Sequence, residues 1–388
     1  MELATRLAQI TPSLTLSVDK KAKTLRSEGV DICSFATGEP DFDTPDHIKA
    51  AAIHALENNF TKYTASSGML ELRQAIVEKF HSDNQLEYQA NDIIVSNGAK
   101  QSCFNAIMAC VNEGDEVVIP APYWTSYPEM VRLAGGEPII VATTEANSWK
   151  MTAEEFANAM SPRTKMVIIN SPGNPTGSVY TKEELRAIVE VAAEEEILIL
   201  SDEIYEHLIY DEAKHISVAS ITPEARDLTI TVNGFSKAYA MTGWRLGYLA
   251  APNKKVAQAI DALQSHSTSG PCSFAQKGAL AALTGSQQCV LDMREEFNIR
   301  REYMYNRINK INNMSSVKPL GAFYILANIA KYGMSSSNFC DRLLSKANVA
   351  AVPGIAFGDD KTIRLSYAAG MDVIKEGLDR LENFCKTV

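Results

Sequence analysis

Lys237 has neighbours that would let a lysine side chain do covalent chemistry. It stands in the stretch GFSKAYAMTGWRLG, residues 234–247, directly after an apolar run. A lysine amine forms imines with carbonyl compounds when its pKa is depressed, because the neutral amine is then present near neutral pH. The small residues around Lys237 would admit a bulky aldehyde, and Arg245 could bind a phosphate through two parallel hydrogen bonds. Without these neighbours, Lys237 would be interpreted as an ordinary surface lysine in a turn.

A second polar cluster, SNGAK at residues 96–100, separates an apolar run from a helical one. The first backbone amides of a helix have no partner within the helix, and small residues let an anion approach them. Gly98, Ala99 and Lys100 are therefore candidates for a phosphate site. A tight turn between a strand and a helix explains the same residues equally well.

Two more side chains follow apolar runs. Asn174 lies in NSPGNPTG, residues 170–177, where two prolines and two glycines would fix the backbone and hold the amide rigidly. Asn before Pro is also a common turn initiator. Asp202 follows the apolar run 197–200, and a carboxylate buried there would need a cationic partner. A helix-capping aspartate is the alternative.

Short apolar runs alternate with amphipathic ones through the middle of the chain, which indicates strands alternating with helices. Capping boxes at 181–184 and 152–155 predict helix starts, the first for a helix that runs to about Glu195. Runs without polar alternation indicate burial on both faces, so we predict a three-layer α/β sandwich with a mostly parallel sheet. Ligands of such sheets bind beyond the carboxyl ends of the strands. The predicted strands are 93–95, 116–119, 138–141, 165–169, 197–200 and 228–232.

The last hundred residues have a different pattern, which predicts a smaller α+β domain. A helical run at 293–311 is followed by extended pieces at 322–326 and 362–367 and by a terminal helix at 371–385. The 388 residues exceed the usual limit for one hydrophobic core, so more than one domain is expected. We predict a large domain of residues 46–290 and a small domain of residues 1–45 and 291–388.

Composition excludes several classes of protein. The net charge of −10 disfavours nonspecific binding to nucleic acid or to an anionic membrane. No apolar stretch is long enough to cross a membrane, and residues 1–14 resemble neither a secretory signal nor a transit peptide, so we expect a soluble cytoplasmic protein. Seven scattered cysteines and six scattered histidines suggest neither a disulfide framework nor a metal site.

The whole stretch 234–247 resembles the pyridoxal phosphate attachment signature of class I aminotransferases. Five further motifs resemble the same family in the family's order: GEPDFDTP (38–45), KY with a later glycine (62–63 and 68), NPTG (174–177), SDEIY (201–205) and RLS (364–366). The resemblance covers about residues 10–385. It implies a fold type I transferase that uses pyridoxal 5′-phosphate, close to the bacterial and plant branch of aspartate aminotransferases that includes prephenate aminotransferases.

The resemblance also implies roles for the catalytic and ring-binding residues. Lys237 would hold the cofactor covalently and then carry a proton, first as base and then as acid. Asp202 would pair with the protonated pyridine nitrogen and so keep the ring an electron sink. Asn174 and Tyr205 would bind the phenolate oxygen of the ring, and Trp124 would stack on the ring face.

The remaining contacts are likewise implied by the resemblance. The phosphate would bind Arg245, Ser236 and the amides of 98–100, with Tyr63 reaching in from a second subunit of a homodimer. Arg364, assisted by the Gly38 backbone, Asn174 and Trp124, would bind the substrate α-carboxylate.

Lys100 and Thr15 match residues that contact a distal carboxylate, so we predict aspartate and 2-oxoglutarate as substrates. Three alternatives remain open: a prephenate or aromatic aminotransferase, a pyridoxal-phosphate lyase on the same fold, and a cofactor-binding regulator. Release of pyruvate and ammonia, or of carbon dioxide, would reveal a lyase. A regulator would need a basic DNA-binding module, which the sequence does not show.

Overall fold

The computed structural model describes residues 4–388. Thirteen helices are seen in that range: α1 Leu14–Ser27, α2 Asp46–Glu57, α3 Leu70–Asn84, α4 Ala99–Cys110, α5 Ser126–Leu133, α6 Ala153–Ala159, α7 Lys182–Glu194, α8 Pro223–Leu228, α9 Lys254–Ser267, α10 Ser273–Thr284, α11 Gln288–Ile308, α12 Ser336–Ala347 and α13 Met371–Cys385. The strands are β1 Cys33–Ser34, β2 Ile93–Ser96, β3 Glu116–Ala121, β4 Glu137–Ala142, β5 Thr164–Asn170, β6 Leu198–Asp202, β7 Thr229–Gly234, β8 Gly247–Ala250, β9 Ser315–Ser316, β10 Tyr324–Asn328, β11 Val349–Ala350, β12 Val352–Pro353 and β13 Thr362–Ser366.

The large sheet has seven strands in the order β2-β8-β7-β6-β5-β3-β4. Strands β3 to β7 pair in parallel, whereas β8 is antiparallel to both of its neighbours, β2 and β7. The α/β class and the mostly parallel sheet predicted from the sequence are therefore confirmed. All six predicted strands are present. The seventh, β8, was not predicted, because its four residues, Gly-Tyr-Leu-Ala, contain no β-branched side chain and begin within the signature around Lys237, at its last residue, Gly247.

Most of the large sheet is buried on both faces. Strands β2 and β7 are buried at every residue and β3 at all but one, because helices cover both faces. Strand β4 is the exception to the prediction of two buried faces: it is an edge strand, and Ile140 is 42% exposed, whereas the other edge strand, β2, is fully buried. An apolar run by itself does not tell a central strand from an edge strand.

Capping boxes set the starts of two helices on this sheet. The Thr181 hydroxyl accepts from the Glu184 amide at 3.3 Å, and the Glu184 carboxylate accepts from the Thr181 amide at 2.8 Å. Thr152 and Glu155 form the same pair of bonds at the start of α6. Both predicted helix starts are confirmed, and α7 ends at Glu194, one residue before the predicted end.

The C-terminal part forms a four-stranded antiparallel sheet in the order β12-β13-β10-β9, beside a parallel pair of β1 and β11. The terminal helix α13 has the bounds predicted from the sequence, whereas α11 begins at Gln288, five residues before the prediction. The apolar core here includes Phe297 and Phe323, and it continues into Tyr205 from the turn after β6. The two sheets therefore share packing at the position where β6 ends.

Within residues 4–388, no helix is both long enough and apolar enough to cross a lipid bilayer.

Candidate active site

A cavity of about 480 Å³ lies at the carboxyl ends of the parallel strands, between the two sheets. Its walls contain twelve of the side chains or backbone positions selected from the sequence: Thr15, Gly38, Ala99, Lys100, Trp124, Asn174, Asp202, Tyr205, Ser236, Lys237, Arg245 and Arg364. These positions are separated by up to 349 residues in the chain, yet the strand ends bring them to one chamber.

Lys237 follows β7 and extends into the cavity, where its Nζ donates to the Gly38 carbonyl at 2.5 Å. Burial is the main influence on the amine and lowers the pKa of Lys237 to about 8, although the nearby Glu39 carboxylate acts in the opposite direction. No carboxylate among the described residues forms an ion pair with Lys237. A substantial fraction of the amine is therefore neutral near physiological pH, as an imine-forming lysine requires.

Asp202 is the last residue of β6, and its side chain is almost fully buried. It accepts from the Tyr127 hydroxyl at 2.7 Å, the Ile204 amide at 3.2 Å and the Cys103 thiol at 3.8 Å. Burial raises the pKa of Asp202, while these hydrogen bonds lower it. All three donors are neutral, so within residues 4–388 the carboxylate has no cationic partner. A protonated ring nitrogen on the cavity side would supply one.

The phosphate candidates meet where α4 begins. Arg245 donates to the carbonyls of Thr242 at 2.9 Å and Asn97 at 3.4 Å, and neither contact neutralises its charge. Gly98 precedes α4 with φ of +87°, and a Cβ there would lie 2.5 Å from the Arg245 guanidinium. A glycine is thus required both by the backbone conformation and by the close approach. The helix start and the guanidinium together make an anion site.

Arg364 lies on β13 and is 3% exposed. Its guanidinium donates to Asn174 Oδ1 at 3.1 Å and to the Ala36 carbonyl at 2.9 Å, while Nε has no partner. No carboxylate among the described residues neutralises it. A buried guanidinium with an unpaired N–H that borders a cavity is suited to binding a carboxylate.

Tyr205 and Asn174 lie in the cavity wall, and each has a protein partner that the sequence did not reveal: Tyr324 for Tyr205, and Arg364 for Asn174. The Tyr205 hydroxyl is 3.0 Å from that of Tyr324, and burial raises the pKa of Tyr205 well above its usual value. Tyr324 and Tyr127 both line the cavity. Neither was selected from the sequence. Tyr324 lay in a piece predicted only as extended, and Tyr127 lies three residues after Trp124, in no motif of its own. A polar group on an otherwise apolar segment was the only signal.

Lys100 and Thr15, the residues expected to contact a distal carboxylate, both lie in the cavity wall. The Lys100 ammonium is 4.9 Å from the centre of the Trp124 ring, and the Thr15 hydroxyl is 2.8 Å from that of Ser13. Partial burial, and then the neighbouring Arg245, lower the pKa of Lys100. Besides Arg364 and Arg245, the cavity therefore has a further cationic group, Lys100, and its wall also contains the hydroxyls of Ser13 and Thr15.

Two of the predicted positions are not in the cavity wall. Gly98 lies behind Arg245, as described above. Tyr63 lies outside its own cavity, and 96% of its surface is exposed. It is carried on the segment between α2 and α3. Tyr63 therefore does not line the cavity of its own protomer.

Pyridoxal phosphate fits this chamber. It has an aldehyde, a basic pyridine nitrogen and a phosphate, and the cavity offers an amine of lowered pKa, a buried carboxylate without a cation, and an anion site. Lys237, Asp202 and Arg245 with the start of α4 would hold these three groups in turn. Each protein group lacks the partner that the cofactor would provide.

Comparison with known proteins agrees with this interpretation. The family model described as aminotransferase class I and II matches residues 30–381. The aspartate aminotransferase of Bacillus sp. (strain YM-2) is 48% identical, over 99% of each chain. The aspartate/prephenate aminotransferase of Nitrosomonas europaea is 43% identical, over 98% of this chain and 99% of its own. The structure of Thermus thermophilus aspartate aminotransferase with maleate has a TM-score of 0.95 and 41% identity, over 99% of this chain and 100% of that one.

The family model spans most of the chain, and the relatives named above match this chain over nearly its whole length. The family is dependent on pyridoxal phosphate, which is the cofactor that the cavity fits. This chain therefore belongs to the class I and II aminotransferases and is a pyridoxal-phosphate-dependent aminotransferase.

Proposed function

We propose that this enzyme transfers the amino group of L-aspartate to 2-oxoglutarate and so forms oxaloacetate and L-glutamate. The observation that carries the proposal is that, besides Arg245 at the phosphate site, the cavity contains two cationic groups, Arg364 and Lys100, neither with a carboxylate partner among residues 4–388. Both substrates are dicarboxylates, so each can occupy the two groups at once. The names of the relatives agree, and maleate, bound in the Thermus structure, is also a dicarboxylate.

The proposed roles of the residues follow from their contacts. Arg364 binds the α-carboxylate through two hydrogen bonds, with the backbone near Gly38 beside it. Lys100 and Thr15 bind the distal carboxylate. This orients the α-carbon toward Lys237, whose neutral Nζ removes the α-proton. When bound, pyridoxal phosphate supplies the electron sink that makes this proton acidic.

The other proposed contacts hold the cofactor. Asp202 binds the pyridine nitrogen, Asn174 and Tyr205 bind the phenolate oxygen, and Trp124 stacks on the ring. Arg245, Ser236 and the start of α4 at 98–100 bind the phosphate. Tyr63 acts on the phosphate of a second subunit, so the active enzyme is a homodimer with shared sites. The exposure of Tyr63 supports this assignment.

We also propose a division into a large domain of residues 46–290 and a small domain of residues 1–45 and 291–388. The position of the seven-stranded sheet within 93–250, and of the other sheets outside 46–290, supports it. Of the small-domain range, residues 1–3 lie outside the described part of the chain. A cytoplasmic location, without membrane or nucleic-acid partners, fits the net charge of −10.

A prephenate aminotransferase is the second candidate. A further cavity of about 460 Å³ adjoins the first and shares Lys100 and Arg245 with it. Prephenate carries a ring in addition to its two carboxylates, and that ring could extend into this space. The name of the Nitrosomonas relative includes both substrates.

Titration of the purified holoenzyme with L-aspartate, without any keto acid, tests the proposal. We expect the visible absorbance of the lysine-bound cofactor to fall, the absorbance of its pyridoxamine form to rise, and 2-oxoglutarate to reverse both changes. A lysine-bound cofactor band that ignores aspartate but responds to an aromatic amino acid, or a pyridoxamine form that prephenate reverses and 2-oxoglutarate does not, would favour the second candidate. Release of ammonia or carbon dioxide would show a lyase instead.

Lys100→Ser tests the distal contact. Removing the ammonium should reduce kcat/KM for aspartate by about 10- to 100-fold, since a charge-assisted hydrogen bond contributes roughly 1.5–3 kcal/mol. The reaction with alanine, which has no distal carboxylate, is the internal control and should change much less. Equal losses for the two amino acids would remove Lys100 from substrate recognition.

A further inference from the structure

Behind the cavity lies a buried network of charged side chains that the reaction does not use. It consists of Glu203 and Glu206 from the turn after β6, Lys79 from α3, and His215. Glu203 is 1% exposed, and Glu206 and Lys79 are each 7% exposed. Buried charges are retained only with well-placed partners, so the arrangement requires an explanation.

Glu203, Glu206 and His215 come close enough together to resemble a metal site. Their lone pairs are already used, however. Glu206 forms an ion pair with Lys79, and Glu203 accepts from the Ser201 and Ser217 hydroxyls, the Val218 amide and His215. A cation in this cluster would compete with Lys79, so the geometry does not support a metal.

The turn itself shows what the network does. Asp202 and Tyr205, three residues apart, are in the cavity wall, whereas Glu203 and Glu206, also three residues apart, contact the network on the opposite side. The Glu206 amide donates to the Glu203 carbonyl at 2.9 Å, which closes the turn between them. Any rotation of this turn would move both cavity residues together.

The Glu206 side chain connects the turn to two other elements of the fold, α3 and β7. Glu206 accepts from Asn84, at the end of α3, at 3.1 Å and from Asn233 of β7 at 2.8 Å. Lys79 donates to Asn84 at 2.7 Å. Burial alone would raise the pKa of Glu206, but Lys79 and the neighbouring histidines hold it well below its usual value. The turn is thereby held against α3 and β7 by a charged contact.

We propose that Glu203, Glu206 and Lys79 are positioning residues, which hold the turn of residues 202–206 so that Asp202 and Tyr205 keep the geometry that the cofactor needs. This inference rests on the cofactor contacts proposed above for Asp202 and Tyr205. The network acts through those two side chains and does not touch the cofactor. Groups that support metal ligands from behind change metal affinity by about 10- to 100-fold when removed, and we expect a similar order here.

The test compares holoenzymes of the wild type, Lys79→Met and the double variant Lys79→Met/Glu206→Gln. The single variant leaves Glu206 without its cation and should lower the melting temperature. The double variant removes both charges. The new glutamine can accept from Asn233 and donate to Asn84 Oδ1, which Lys79 no longer occupies, so the double variant should recover most of that loss. We nevertheless expect its pyridoxal phosphate to dissociate about tenfold faster on dilution, and the visible circular dichroism of the bound cofactor to weaken. In steady state, kcat should fall with little change in KM for the amino donor.

Lys150→Met is the matched control, because Lys150 also forms an ion pair, with Glu184, but lies outside the cavity wall. It should alter the melting temperature without altering cofactor release. If cofactor release and circular dichroism in the double variant return to wild-type values together with stability, the network is an ordinary structural ion pair and the inference is wrong. If Lys79→Met does not fold, Glu206→Gln alone gives the same comparison.

Asp202→Asn separates this inference from the proposal on which it rests. Unchanged cofactor spectra in Asp202→Asn would overturn the proposed role of Asp202 and the inference with it. Altered spectra in that variant, together with wild-type behaviour of Lys79→Met/Glu206→Gln, would overturn the inference alone.

Discussion

Several charged side chains in the cavity have no partner of opposite charge within the described part of the chain. Asp202 has only neutral donors, Arg364 has an amide and a carbonyl as acceptors, and Arg245 has two carbonyls. A protein retains such groups at a stability cost when a ligand supplies the missing charge. At this scale, the chemistry of the ligand can be inferred from what each residue lacks.

The lowered pKa of Lys237 gives a prediction about pH. Burial shifts this pKa down to about 8, so the neutral amine increases with pH, is half of the total at about pH 8 and is nearly complete about one pH unit higher. Cofactor-free enzyme mixed with pyridoxal phosphate should therefore bind it covalently at a rate that increases about tenfold per pH unit below 8 and then levels off. The visible absorbance of the lysine-bound cofactor measures this rate, and Lys237→Ala is the control. A rate that still rises between pH 9 and 10 would contradict a depressed pKa.

Elements determine whether these side chains meet, and the contact of β8 with the start of α4 shows how. Gly247 opens β8 and lies directly under Ala99, at the start of α4. A Cβ at position 247 would collide with the Ala99 backbone nitrogen and lie 2.5 Å from the Gly98 carbonyl carbon. The strand therefore supports the anion site from below at a distance that only glycine permits.

Gly247→Ala should displace the start of α4 and so weaken cofactor binding. Overpacking of this kind destabilises by about 1–3 kcal/mol, and we expect the dissociation constant for pyridoxal phosphate to increase at least tenfold. Equilibrium titration of the cofactor and thermal unfolding measure the two effects.

Thr181→Ala is the control for that experiment. It removes the capping box of α7, at about 1 kcal/mol, away from the cavity wall. If both variants lower the melting temperature but neither affects the cofactor, Gly247 does not support the phosphate site.

At the scale of the whole molecule, the cavity depends on both sheets. The large sheet supplies Asp202 and Lys237, and the smaller antiparallel sheet supplies Arg364. The core around Phe323 joins the turn after β6 to the smaller sheet, so the two halves are packed together rather than linked by a tether.

Mixing subunits tests the shared site. Tyr63→Ala leaves Lys237 intact, and Lys237→Ala leaves Tyr63 intact, so a mixed dimer would contain one site with both residues if Tyr63 acts across the interface. We expect the mixture, after subunit exchange at limiting pyridoxal phosphate, to be more active than the sum of the two separate variants. No gain, when exchange is verified by mass spectrometry, would mean that Tyr63 does not act in the partner's site.

The sequence by itself determined the fold class and selected Lys237, Asp202 and Asn174 through local signals, whereas the cofactor and most of the other cavity residues were implied by the resemblance to class I aminotransferases. Lys237, Asp202 and Asn174 each follow an apolar strand, and the carboxyl ends of parallel strands must meet at one edge of the sheet. Local sequence patterns likewise predicted the bounds of α13 and the capping box of α7. Only the tertiary structure decided that Tyr324 meets Tyr205, that Tyr127 meets Asp202, and that β8 inserts antiparallel beneath α4. Those contacts join residues that are distant in the chain, and no local pattern of polarity or propensity specifies which distant partner a side chain will meet.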